Sequence, residues 1–115
     1  MQWRDEDTLL DIITAGDRVI AFQQNMSEDE FLRDVKTQSA IQHQLTIMGE
    51  AVKRLSAEFR AQHPEIPWRL VAGMRDRLIH GYDRVSVNVV WDTATRSVPD
   101  LLVQLRPLLA DSAGE

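Results

Sequence analysis

Apolar residues recur at three- and four-residue spacing from Asp5 to Gln24, where Leu9, Ile12, Ile13, Val19, Ile20 and Phe22 fall along one stripe and acidic residues occupy the first turn. That spacing predicts an amphipathic helix, and the acids suit the positive end of its dipole. "SEDEF" then offers Ser27 as a cap and Glu30 as the returning partner of a capping box, predicting a short helix to about Val35. From Thr37 to about Gln62 a second long stripe runs through Ile41, Leu45, Met48, Val52, Leu55 and Phe59. "HPEIPW" stops it, because Pro64 cannot continue a helix, whereas Pro67 suits the first turn of a fourth helix beginning at Trp68. Gly81 is the expected terminator of that helix.

Val87 to Leu109 sends two signals. "VSVNVVW" alternates and is β-branched, but Leu101, Leu102, Leu105, Leu108 and Leu109 keep helical spacing. A lone strand would have no partner, so the stretch reads as a final helix, bent near Pro99, with a fraying tail "ADSAGE". The pattern predicts an all-α fold, a four- to five-helix up-and-down bundle formed by residues 1–115 as one domain.

Composition narrows the function. The chain has no cysteine, so neither disulfides nor thiolate metal sites contribute. The start "MQWRDEDTLL" lacks a signal peptide's apolar stretch and no run of eighteen apolar residues occurs, which predicts a cytoplasmic protein without membrane contact. The formal net charge of −5 argues against holding nucleic acid through a broad positive surface, and DNA is not an expected partner. Charge is nevertheless uneven. Trp68 to Arg84 carries Arg69, Arg75, Arg77 and Arg84 against Asp76 and Asp83, an excess of two positive charges in an otherwise acidic chain.

Within that segment "MRDRLIHGY" holds the pattern Arg75-x-x-x-x-His80-x-Tyr82. On a helix Arg75 and His80 would be about 140° apart around the axis and about 7.5 Å apart along it, a gap arginine's long arm can close. Asp76, four residues before His80, shares its face and could fix the imidazole tautomer. Arginine supplies fixed charge and a bidentate grip on phosphate, histidine titrates near neutral pH, and a tyrosine hydroxyl can be modified. The set suits phosphodiester cleavage without a metal. The same residues also suit a plain helix C-terminus, where arginine and histidine favour the dipole. His43 and His63 are isolated and read as surface or capping residues, with no metal site expected. Trp68 and Trp91 read as packing anchors. Glu50 adjoins the apolar stripe, where an unpaired carboxylate is costly, and is expected to pair with an arginine of the fourth helix.

Four ordered blocks, "IMGEAVKRLS", "HPEIPW", "MRDRLIHGYDRV" and "VVWDTATRSVPDL", give the chain a resemblance to the HEPN superfamily, and within it to HepT-like toxins paired with MNT-type nucleotidyltransferase antitoxins. The resemblance implies a homodimeric, metal-independent endoribonuclease with RNA as substrate and no cofactor. Arg75 and His80 would be the catalytic pair, with Asp76, Tyr82 and Glu50 supporting. It further implies that the antitoxin transfers AMP from ATP to Tyr82, placing charge and bulk in a cleft built for phosphate. The alternative is a non-catalytic HEPN module that binds nucleotide or a nucleotidyltransferase partner through the same cleft.

Overall fold

The computed structural model describes residues 3–73 and 86–113, and among these every regular element is helical. The elements are α1 (Trp3–Gln23), α2 (Glu28–Arg33), α3 (Val35–Arg54), α4 (Ala57–Gln62), α5 (68–73), α6 (Val87–Asp92), a π-helical turn (Thr93–Ser97) and α7 (Val98–Ala113). Since α6, the π turn and α7 form one uninterrupted run, the predicted final helix is present despite its β-branched start. It continues through Ala113, past the point where the tail was expected to fray.

α1 packs against α3 and α7, and the core they share contains Leu9, Ile12, Val19, Ile41, Leu45, Met48, Leu102 and Leu105. Phe22, assigned to the buried stripe by spacing, is exposed one residue before α1 ends. α1 and α7 approach closely at Gly16, where an added Cβ would stand 2.8 Å from Leu102 Cδ2. Outside this contact the Asp17 carboxylate and Arg106 guanidinium pair across the same two helices.

Between α1 and α2, Asn25 takes a φ of 63°, the left-handed conformation that asparagine tolerates at a helix exit. The predicted capping box then forms. Glu30 N–H donates to Ser27 Oγ at 3.1 Å, and Ser27 N–H donates to Glu30 Oε1 at 3.1 Å. Phe31 is fully buried and meets Trp91 with ring centroids 5.2 Å apart, docking α2 on the C-terminal run. Gln38 of α3 donates to the Phe31 carbonyl at 2.9 Å, satisfying an acceptor at the end of α2.

The long helix expected from Thr37 to Gln62 is broken at Leu55 and Ser56, whose ψ angles of 142° and 149° are extended. The cause lies 51 residues away. Buried Asp5 accepts from Ser56 N–H at 2.8 Å and from Ser56 Oγ at 2.7 Å, so the Ser56 amide bonds a carboxylate in place of a helical carbonyl. Ser56 Oγ in turn accepts from Phe59 N–H at 3.0 Å, capping α4. Leu55 and Phe59 remain buried on both sides of the break, which is why the apolar stripe passes through it undisturbed.

A π-helical turn, Thr93–Ser97, stands just before Pro99, the position where a bend was expected. Pro99 has no amide to donate to the preceding turn, and a wider turn is one way for a helix to absorb that loss. Thr93 and Thr95 hydroxyls donate to the Val89 and Trp91 carbonyls, each at 2.8 Å. Pro107 stands inside α7 beside exposed Val103, where the unpaired carbonyl four residues back can meet water.

Candidate functional site

Arg75, Asp76, His80 and Tyr82 all belong to residues 74–85, outside the described residues. N-terminal to that segment α4 ends at Gln62 with His63, expected as a surface or capping residue, at its C-cap, and the turn through Pro64 and Glu65 delivers the chain to α5. The Trp68 indole N–H lies 3.2 Å from the Arg60 carbonyl and 3.0 Å from that of His63, adding a second donor to two carbonyls that already accept from the His63 and Ile66 amides. The Phe59 ring meets those of His63 and Trp68 in tilted contacts at centroid distances of 4.8 and 6.0 Å. The Pro67 carbonyl accepts from Leu70 N–H at 3.0 Å and Val71 N–H at 3.2 Å, starting α5. Pro67 therefore serves as predicted, and Trp68 is the anchor its size suggested.

On the C-terminal side Ser86 caps α6, its hydroxyl accepting from Asn88 N–H at 3.2 Å.

Glu50, the one predicted site residue within the described part, is partly buried on α3 and engages a partner there. His43 is exposed, and His63 Nδ1 lies 3.6 Å from Glu65 Oε1, a neighbour two residues on that spacing at helical intervals did not reveal. Among the described residues no three histidine or acidic side chains gather as metal ligands.

Sequence reasoning missed a groove of about 340 Å³ between α5 and the C-terminal run. Met48, Pro67, Leu70 and Val71 form one wall, and Val98 with Leu101 form much of the other. Ser97, Asp100 and Gln104 stand along the second wall at three- and four-residue spacing, on one face of the helix. The available signal was "SVPDLLVQ", whose polar positions repeat out of phase with its buried leucines.

Comparison with known proteins fixes the lineage. The family model described as "Ribonuclease HepT-like" matches residues 12–108, spanning the fold and the whole of segment 74–85. The chain belongs to the HepT-like ribonuclease family. It is similar to an inferred RNase of Methanocaldococcus jannaschii, 37% identical over 107 residues that cover 93% of this chain and 88% of the relative. It is also similar to a probable ribonuclease HepT of Thermococcus cleftensis, 43% identical over 101 residues covering 88% and 92% respectively. An inferred RNase of Caldanaerobacter subterraneus subsp. tengcongensis is 40% identical over 84 residues, covering 73% and 75%. No solved structure matches the chain. The all-helical architecture agrees with the HEPN bundle that family membership implies, and no described helix is long and apolar enough to cross a membrane.

Proposed function

We propose that the chain is the toxin of a toxin–antitoxin pair, an endoribonuclease that works without a metal through Arg75 and His80. The observation that carries this is the coincidence of two facts. The HepT-like ribonuclease model spans residues 12–108, and Arg75-x-x-x-x-His80-x-Tyr82 lies inside that span.

In this mechanism neutral His80 takes the proton of a ribose 2′-hydroxyl. The 2′-oxygen attacks the adjacent phosphorus, the bond to the 5′-oxygen breaks, and that oxygen leaves with a proton from solvent or from a second histidine. The products are a 2′,3′-cyclic phosphate and a 5′-hydroxyl end. Arg75 holds the phosphorane oxygens bidentately as their charge develops, while Asp76 orients the imidazole. One chain offers a single Arg75 and a single His80, so a homodimer that brings two copies of the segment to one cleft would supply base and acid together. Glu50, partly buried on α3, would pair with an arginine of the helix that carries the motif.

Control would come from an MNT-type nucleotidyltransferase that transfers AMP to the Tyr82 hydroxyl, releasing pyrophosphate. The added phosphate competes with RNA phosphate for Arg75 and fills the cleft. The test is end-group analysis of RNA incubated with the purified chain in EDTA, together with mass spectrometry of the chain after treatment with the transferase and ATP. Cyclic-phosphate ends and an AMP adduct on Tyr82 are expected. Uncleaved RNA would refute the nuclease, and AMP on another residue would refute the switch. The formal net charge of −5 favours a second reading, a non-catalytic module that binds nucleotide or the transferase, because holding RNA through a broad cationic surface depends on neutralising many phosphates. RNA left intact by wild type and variants alike would select it.

A further inference from the structure

Along the C-terminal run, exposed residues recur at three- and four-residue intervals on the side away from the core. Val89, Asp92, Arg96, Asp100, Val103 and Pro107 are all exposed and form one stripe, about 27 Å long, on the outer side of α6, the π turn and α7. Two of them are large apolar side chains left open to solvent, Val89 at 51% and Val103 at 73% exposed. The three charges between them alternate as acid, base, acid. Four-residue spacing lets opposite charges pair along a helix, yet among the described residues none of Asp92, Arg96 and Asp100 has an ion pair.

This stripe complements itself when a second copy is laid against it antiparallel. A two-fold axis midway between Arg96 and Asp100, at the level of Val98, sets Arg96 of each copy against Asp100 of the other, so two opposite-charge contacts form together. The same axis sets Val89 against Pro107 and Thr93 against Val103, which covers the exposed valines of both copies. Charge and apolar pattern together fix the register. An axis at Ala94 would also oppose Arg96 to a carboxylate, that of Asp92, but it would carry Val103 beyond Val87, where α6 begins, and leave it uncovered. Laying the two stripes parallel would set like charges against each other.

We infer that this stripe is an isologous interface through which two copies of the chain associate. It holds the two Ser86 residues about 36 Å apart along the helices, so it is separate from the contact that would bring two motif segments to one cleft. It stands whether or not the chain cleaves RNA. The test is sedimentation equilibrium of the full-length protein over a range of concentrations. Wild type should associate, and Arg96→Asp or Asp100→Arg alone should weaken association by on the order of ten-fold or more, because each sets two like-charge pairs in the interface. Val103→Glu should act in the same direction. All three positions are exposed, so circular-dichroism spectra should match wild type. The deciding sample is an equal mixture of the two charge-reversed variants. One carries acids at both 96 and 100 and the other carries arginines at both, so the mixture should regain the wild-type mass while neither variant does so alone. An effect of either substitution within its own chain would not be cured by mixing. If a cleft contact also joins copies, wild type and the mixture should sediment as four protomers and each variant as two. Wild type that stays a single protomer, variants with the same mass as wild type, or a mixture no heavier than its components would overturn the interface.

Discussion

Asp5→Ala probes the contact that sets the break between α3 and α4. Asp5 is 3% exposed and both its oxygens are used, by Ser56 N–H at 2.8 Å and Ser56 Oγ at 2.7 Å. Hydrogen bonds to a charged acceptor contribute about 1.5–3 kcal/mol each. Removing the carboxylate also removes its own desolvation cost, and water can reach part-buried Ser56, so the two losses do not sum in full. The net destabilisation should be about 2–4 kcal/mol, read from urea unfolding followed by circular dichroism at a fixed protomer concentration, because any oligomer ties stability to concentration. The double variant with Ser56→Ala isolates the pair. A coupling energy of about 1–3 kcal/mol is expected. A loss under about 0.5 kcal/mol for Asp5→Ala, or simple additivity in the cycle, would show that the break is set by local sequence and not by this long-range acceptor.

Gly16→Ala places a Cβ 2.8 Å from Leu102 Cδ2, against a side chain that is 2% exposed and cannot swing into solvent. Overpacking of about 1–3 kcal/mol should exceed the gain of about 1 kcal/mol in helix propensity, so the melting temperature should fall, and a rise would contradict the close packing of α1 on α7. Gln44 is 7% exposed and its Oε1 has no partner among the described residues, so Gln44→Met should raise stability by about 1 kcal/mol in denaturant melts, whereas a loss would mean the amide is satisfied in solution. Hydrogen bonds from the Thr37 N–H and hydroxyl hold the Asp34 carboxyl below its ordinary 3.8, so its capping contribution is complete above that value and lost as pH falls through the lowered one. Asp34→Asn should accordingly flatten the decline of stability below pH 4, and an unchanged decline would count against the cap.

Helical periodicity was enough to place α1, the capping box of α2, most of α3 and the C-terminal run, because these depend on side chains three or four residues apart. The break at Ser56 was hidden for the opposite reason. Its apolar stripe is continuous through Leu55 and Phe59, and its determinant, Asp5, reads in sequence only as an acid in the first turn of α1. The π turn was half legible: Pro99 announced a disturbance, but the threonine hydroxyls bonded to Val89 and Trp91 have no periodic signature. For the site, Arg75, His80 and Tyr82 were legible as a chemical set with defined spacing, and all three lie outside the described residues. The groove lined by Asp100 and Gln104 was missed because its two walls come from residues about thirty positions apart.

The claim on which the functional account turns is that a guanidinium and an imidazole act on one phosphate with no metal between them. Its most direct test is the initial rate of RNA cleavage in EDTA by wild type, Arg75→Ala and His80→Ala, each verified as folded. Cleavage by wild type with a drop of at least about 100-fold in each variant is the predicted result. A His80→Ala protein that cuts RNA as fast as wild type, or wild-type activity that vanishes in EDTA and returns with a divalent cation, would contradict it.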